Sequence, residues 1–475
     1  MDPTTAAADE FRTSPEETTG MPTGIPFIVG NEAAERFSYY GMKAILFAFM
    51  TQYPVLLQSS GVMGPMSKED ATAWVHAFTA ANYFFPILGA IVADVVFGKY
   101  LTIMSLSMVY CLGHLVLACL DLNLGVEPRY ILGTGLFLIA LGSGGIKPCV
   151  SAHVGDQFGP QNKHLLERVF GWFYFSINFG SFFSTLLCPW LLKAMGPGWA
   201  FGVPGVFMGL ATLLFWLGRY RYAHIPAGGA ESLNEATSPD GLRALKGLVP
   251  LFLFIAVFFS LYDQTSSRWI EQAERMNRTL SIPGLAKPLV IDASQLQAAN
   301  PILVMMMIPL FTMYLFPLFG KAVTPLRKVG TGLFLIAVAF AMTAVYEHWL
   351  EAGKSVHFFW QMAAYVVLTA AEVICYGTAL EFSYTQAPPK MKSLIMGLFL
   401  LSISLGNFLT AGFNAILSNL PEESKKRFEG PNYYWFFTGC MLLTALIYLA
   451  WSPFYSGRSY VQGDTASAEG DEQSE

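Results

Sequence analysis

Charged residues interrupt the first long apolar stretch of the chain, which runs from residue 25 to residue 53. They are Glu32, Glu35, Arg36 and Lys43, and Tyr39 lies among them. At about 100° of rotation per residue in an α-helix, these five side chains fall within about 100° of arc. The spacing predicts one polar stripe along an otherwise apolar helix. Two interpretations fit the stripe: a structural set of ion pairs between helices, or the wall of an aqueous cavity.

Three further ionisable residues, Lys147, Asp263 and Glu372, lie deep in other apolar stretches. A charge at the centre of a membrane helix costs about 2.5–3.5 kcal/mol on insertion scales, so pairing is favoured. At about 1.5 Å per residue, Lys43 and Asp263 reach one depth and Lys147 and Glu372 another. We therefore predict two layers of gating pairs, Lys43–Asp263 near the outer face and Lys147–Glu372 towards the cytoplasm.

The composition indicates a membrane protein. Of the 475 residues, 54% are hydrophobic, 15% are aromatic and 13% are charged. Soluble chains carry about 25% charged residues, and the mean hydropathy here is +0.46. The net charge of −5 and the absence of a basic run exclude a typical nucleic-acid binder. The six cysteines lie in apolar stretches without a CxxC spacing, so neither disulfides nor a metal site are predicted.

Twelve stretches are long and apolar enough to cross a bilayer, which requires about 20 residues each. The predicted fold is therefore an all-α membrane protein with twelve transmembrane helices in two six-helix bundles, the layout of the major facilitator fold. The twelve stretches are 25–53, 72–97, 100–120, 129–154, 166–194, 199–218, 246–276, 295–320, 329–349, 356–386, 393–419 and 431–455.

The domain organisation follows from the longest polar connector, which separates the sixth and seventh stretches. An even number of crossings and the excess of Lys and Arg in alternate loops predict that both termini are cytoplasmic. The first residues lack the pattern of a signal peptide. The predicted regions are a tail at 1–24, an N-terminal bundle at 25–218, a cytoplasmic linker at 219–245, a C-terminal bundle at 246–456 and an acidic tail at 457–475.

Three motifs in order resemble the proton-coupled oligopeptide transporters of the major facilitator superfamily. EAAERFSYYG at residues 32–41 fits the first-helix motif ExxERFxYYG of that family. GGIKPCVS at 144–151, with GDQF at 155–158, fits its fourth-helix signature, and FYFSINFGS at 173–181 fits its fifth. The resemblance covers residues 24–456. It implies a symporter that imports di- and tripeptides by alternating access.

Some segments are more similar to animal di/tripeptide transporters: 76–90, 262–269 and 380–391. His76 matches their second-helix histidine, although its predicted position is only about four residues inside the helix. The large ectodomain of the animal proteins between helices nine and ten is absent here. Phe259 and Phe399 stand where relatives often have tryptophans, and Asp263 replaces the commoner bacterial glutamate, so the side-chain preference of the pocket differs from the family pattern.

The resemblance implies a role for each matching residue. For proton coupling these are Glu32, Glu35, Arg36, His76 and Asp263. For peptide binding they are Arg36, Tyr39, Tyr40, Lys43, Tyr83, Lys147, Tyr174, Asn178, Phe259, Asn300, Glu372 and Phe399. The expected partners are di- and tripeptides, protons and the lipid bilayer, with no nucleic acid, no metal and no cofactor. We expect a monomeric functional unit in the cell membrane, driven by the proton gradient.

Two alternatives remain open at this stage. A transporter of the same fold could carry nitrate or another small solute, although Glu372 opposite Lys147 would be of no use to a simple anion. An intramembrane enzyme or a receptor is disfavoured because the sequence has no nucleophile elbow, phosphate loop or HExxH motif and no receptor-like cytoplasmic domain.

Overall fold

The computed structural model describes residues 11–57, 62–122, 124–227, 239–281, 288–320, 324–387 and 392–455. The predicted acidic tail and part of the predicted linker lie outside these residues. The described chain is almost entirely helical, with two short antiparallel strand pairs that the sequence did not predict. In the first pair β1 (Leu56–Leu57) faces β2 (Met63–Gly64), and in the second β3 (Thr279–Leu280) faces β4 (Leu289–Val290).

Long helices with short connections make up the first part of the chain. Ser67 caps α2 by accepting a hydrogen bond from the Asp70 amide, which starts this helix four residues before the predicted position. A proline in the first turn begins α1, α4 and α6, and Gly196 at φ 89° separates α5 from α6. The helices are α1 (Ile25–Gln52), α2 (Lys68–Val92) with a π-helical end at Ala93–Phe97, α3 (Gly98–Ala118), α4 (Pro128–Gly155), α5 (Leu166–Met195) and α6 (Pro197–Leu217).

The second part of the chain contains more interruptions. The predicted seventh stretch begins at Pro239, inside the predicted linker, and divides into α7 (Pro239–Tyr262), a 3-10 turn (Asp263–Ser266) and α8 (Arg268–Glu274). The eighth divides into a 3-10 helix (Ala293–Ala298), α9 (Ala299–Leu310), a π-helix (Phe311–Leu315) and α10 (Phe316–Phe319). The remaining helices are α11 (Pro325–Glu351), α12 (Phe359–Thr385), α13 (Lys392–Ser418), α14 (Glu422–Lys425) and α15 (Pro431–Trp451).

Ten helical runs in the described part of the chain are long and apolar enough to cross a membrane. One of them, Lys68–Asp121, contains both α2 and α3. The helix α1 is not among the ten because its four charged residues lower its hydropathy. With these two points included, the described helices are consistent with the twelve predicted crossings.

The chain divides into two compact units. The first comprises Met1–Gly229 together with Thr265–Met305, and the second comprises Ala230–Gln264 together with Met306–Glu475. Within the first unit α1 packs against α5 and α6, α2 packs against α4, and α8 contacts α2. Within the second unit α11 packs against α12 and α15, and α7 packs against α13. The segment Thr265–Met305 follows the predicted linker in sequence and yet packs with the first unit.

Glycines allow the closest approach between helices α2 and α4. A Cβ atom at Gly89 would lie 2.6 Å from the Cα atom of Gly145, and one at Gly144 would lie 2.7 Å from the carbonyl oxygen of Asn82. Both distances are shorter than van der Waals contact with backbone atoms, which cannot rotate away. The two helix axes are therefore held at a separation that only glycine permits.

We predict that Gly89→Ala destabilises the first unit by about 1–3 kcal/mol, the usual cost of overpacking. The added methyl group would have to push α2 and α4 apart. A lower midpoint of thermal unfolding in detergent would show this. The matched control is Gly209→Ala in α6, where nothing lies within 4 Å of the added atom. An equal midpoint in the two variants would contradict the proposed close contact.

Candidate functional site

The polar stripe of α1 forms a compact ionic group. Nε of Arg36 lies 2.6 Å from Oε1 of Glu32, one turn earlier, and 3.2 Å from Oε2 of Glu35. Both glutamates are 2% exposed. Ser143 on α4 donates a hydrogen bond of 3.2 Å to Oε1 of Glu35. Because α1 supplies both carboxylates and their arginine, these charges are paired without an ionic partner from another helix.

The ammonium of Lys147 has neutral neighbours in the same unit. It donates a hydrogen bond of 2.9 Å to Oδ1 of Asn82 on α2. It also lies 4.5 Å from the ring centre of Tyr39 and 4.4 Å from that of Tyr83, which is cation–π geometry. Among the described residues of the first unit, Lys147 forms no ion pair. Its positive charge is therefore held in position without being neutralised by direct contact.

His76 is fully buried, which differs from the near-surface position expected from the sequence. Its Nε2 atom lies 3.1 Å from the hydroxyl of Ser267, just before α8. Two reasons explain the difference: α2 begins at Lys68, so His76 lies two turns inside it, and the segment that begins at Thr265 covers this part of α2.

Ion pairs join α2 to α8 close to His76. Arg268 lies 3.5 Å from Glu69 and 2.9 Å from Glu271, and Lys68 lies 3.2 Å from Glu271. Arg268 and Glu69 are almost fully buried. These contacts bind a segment that follows the linker in sequence to a helix that precedes it.

In the second unit, a buried amide binds the carboxylate of Asp263. Nδ2 of Asn407 on α13 donates to Oδ2 of Asp263 at 2.7 Å, and Asp263 is 5% exposed. Glu372 is partly buried on α12. Phe259 and Phe399 both pack on the ring of Tyr376, each at a centroid distance of 5.6 Å. The two aromatic positions that depart from the family pattern thus belong to one cluster.

The remaining predicted ligands are distributed over the first unit. Tyr174 is partly exposed on α5, and Asn178 lies one turn later and donates to the carbonyl oxygen of Tyr174 at 3.0 Å. Asn300 is partly buried at the start of α9, while Tyr40 and Lys43 are partly buried on α1. Tyr39 packs edge-on against Tyr40, so it contacts a neighbour on its own helix as well as Lys147.

The neutral polar residues that hold these ionisable groups were not predicted from the sequence. Those residues are Asn82, Ser143, Ser267 and Asn407, together with a buried hydrogen bond of 2.8 Å between Ser38 and His114. A weak signal existed, because Ser38 lies inside the first-helix motif and Asn82 immediately precedes the predicted ligand Tyr83. Isolated amides and hydroxyls in apolar helices do not, however, reveal which residue they will meet.

The chain is similar to known transporters over most of its length. A family model described as the POT family matches residues 100–235 and 230–436. Solute carrier family 15 member 2 of Homo sapiens is 36% identical over 376 residues, covering 69% of this chain and 49% of that protein. Peptide transporter family 1 of Drosophila melanogaster is 35% identical over 373 residues, covering 70% and 48%. The chain therefore spans about half the length of these curated relatives.

A solved structure agrees with the fold. The crystal structure of an auto-inhibited POT family peptide transporter superposes with a TM-score of 0.83 at 33% sequence identity, covering 93% of this chain and 99% of the other. The helices that carry Arg36, Lys147 and Glu372 thus form part of a fold shared with a solved transporter over nearly its whole length. The family model, the sequence identity to the curated relatives and the likeness to the solved structure agree, and the chain belongs to the POT family.

Proposed function

We propose that the chain is a proton-coupled symporter that imports di- and tripeptides by alternating access between two six-helix bundles. The observation that carries the proposal is Lys147 of α4, a partly buried lysine whose ammonium is held by an amide and two aromatic rings while its charge stays available to an anion. The relatives named as peptide transporters support the same class of substrate.

Recognition of the two ends of a peptide requires two opposite charges. The carboxylate terminus needs a cation, which we assign to Lys147 with support from Arg36 and Lys43. The amino terminus needs a carboxylate, which we assign to Glu372. The backbone between the termini needs neutral hydrogen-bonding groups, and we assign these to Tyr39, Tyr40, Tyr83, Tyr174, Asn178 and Asn300. We further assign Phe259 and Phe399 to the side-chain pocket.

Coupling to protons requires a carboxylate whose protonation depends on the state of the transporter. Glu32 and Glu35 compete for one arginine, so any movement of Arg36 changes the charge environment of both. We assign proton coupling to this group, with His76 and Asp263 as further participants. The proton gradient then drives uptake without a cofactor, in a monomer that lies in the cell membrane with both termini in the cytoplasm.

We predict that di- and tripeptides of varied side chain drive and compete for uptake, while free amino acids do not. The two termini of a single amino acid lie too close together to reach both charges of the proposed clamp. The measurement is accumulation of labelled dialanine by proteoliposomes under an imposed inward proton gradient. Equal inhibition by alanine and dialanine would disprove the two-ended clamp. Nitrate uptake without peptide uptake would instead favour the anion transporter.

We predict that Asp263→Asn shifts the protein towards the outward-open state. In our hypothesis Lys43 and Asp263 close the outer side, so the variant would bury Lys43 without its carboxylate on closure. Labelling of an introduced cysteine by an impermeant reagent from outside should increase several-fold. The control is Glu423→Gln, which neutralises an exposed carboxylate of α14. Unchanged or decreased labelling in Asp263→Asn would mean that this pair is not the outer gate.

We predict that Glu32→Gln and Glu35→Gln abolish proton-driven accumulation but retain exchange of peptide for peptide. Each variant removes one titrating group, while the other glutamate still pairs with Arg36 and keeps α1 intact. Driven uptake and counterflow should be measured side by side in proteoliposomes. The matched control is Glu127→Gln, which removes another arginine-paired carboxylate, 3.1 Å from Arg129. Loss of both activities at normal expression would indicate a purely structural stripe, and retained driven uptake would exclude these glutamates from coupling.

A further inference from the structure

We propose that Asn82 positions the ammonium of Lys147 and thereby sets the preference of the transporter for substrates with a free carboxylate. This inference rests on the proposed function, in which Lys147 binds the peptide carboxylate. Asn82 is fully buried on α2, and its Oδ1 atom accepts the hydrogen bond of 2.9 Å from Lys147. Among the described side chains of the first unit, Asn82 is the one that accepts a direct hydrogen bond from this ammonium.

The chemistry of the two groups fixes the orientation of the amide. A lysine ammonium only donates hydrogen bonds, so the amide must turn its oxygen towards Lys147. The Nδ2 group then points elsewhere, and within the described residues it is buried without a hydrogen-bond partner. An unpaired buried donor is unfavourable. Asn82 therefore keeps its contact with Lys147 although its own Nδ2 group is buried without a partner. An apolar residue at this position would not carry that free-energy cost.

Backbone contacts hold Asn82 at this distance. The carbonyl oxygen of Asn82 lies where a side chain at Gly144 would have to be, three residues before Lys147 on α4. Seven residues further along α2, Gly89 is similarly close to the backbone of Gly145, the residue that follows Gly144 on α4. Because these contacts involve backbone atoms, the distance between Asn82 and the base of the Lys147 side chain is set by the helices and not by flexible side chains.

The neutrality of Asn82 matters as much as its position. A carboxylate at this site would bind the ammonium more tightly, but it would also cancel the charge that a substrate must find. An apolar residue would leave the charge intact but would let the long side chain take other rotamers. An amide fixes the ammonium and leaves its charge uncancelled. The rings of Tyr39 and Tyr83 act in the same way, since both are neutral.

The test compares dialanine with its C-terminal amide as competitors for uptake of labelled dialanine in proteoliposomes. The amide keeps the backbone and the amino terminus and lacks only the carboxylate. In Asn82→Leu the preference for dialanine over the amide should fall by about tenfold, the size expected for loss of one hydrogen bond to a charged group. In Asn82→Asp, which keeps the size of the side chain, the preference should fall at least as far because the new carboxylate pairs with Lys147.

The control is Thr79→Val, which changes an equally buried residue of α2 whose one hydroxyl hydrogen bond among the described residues is to the carbonyl oxygen of Val75. It should keep the preference of the unmodified protein. A structural role for Asn82 would weaken both competitors equally, and that result would overturn the inference, as would an unchanged preference in Asn82→Asp. If the unmodified protein neither binds nor transports dialanine, the proposed function fails and this inference fails with it.

Discussion

One arginine shared by two carboxylates is the constraint around which the first unit is arranged. Arg36 lies within 3.2 Å of both glutamates; the two glutamates are buried, and the arginine is largely shielded from water. A buried ion pair contributes little to stability on its own, but loss of one partner is strongly unfavourable. When both carboxylates are ionised, the group carries one net negative charge, and Lys147 lies close enough to interact with it electrostatically. Arg36 and Lys147 together therefore balance the two carboxylates without a direct contact between Lys147 and either of them.

The unit that carries these charges is held together by two kinds of contact. Its long helices meet at glycines: Gly180 of α5 approaches the backbone of Ala33, as Gly89 of α2 approaches Gly145. Because these contacts involve backbone atoms, no side chain can rotate to change the separation of the helices. The segment Thr265–Met305 is attached differently, by hydrogen bonds and ion pairs such as His76–Ser267 and Arg268–Glu69. Because Arg268 and Glu69 are almost fully buried, separating them would leave an unpaired buried charge, so these polar contacts hold the segment against α2.

Sequence patterns predicted the long helices well, because an apolar run in a membrane protein ends where polar residues begin. The predicted stretch at 25–53 matches α1, and 166–194 matches α5, each to within one residue. The charged residues proposed for the site could also be singled out from the sequence, since a charge in an apolar helix is conspicuous. The breaks around α8 and α9 were not predicted, because their turns depend on packing within the first unit. Asn82 and Asn407 were missed for the same reason: an amide shows its role only when its partner on another helix is known.

Two amides, Asn82 and Asn407, show how a charge within the helix bundle can be held by a neutral hydrogen-bonding partner. An amide has a carbonyl end that binds a cation and an amino end that binds an anion. Asn82 uses the first on Lys147, and Asn407 uses the second on Asp263. Each supplies part of the hydrogen bonding that the ion lost on leaving water, and neither cancels its charge. For Lys147, a permanent ion pair would satisfy the charge more fully, but it would oppose the exchange of partners that the proposed peptide binding requires. At Lys147 the neutral amide therefore lowers the free-energy cost of burial while leaving the positive charge uncancelled.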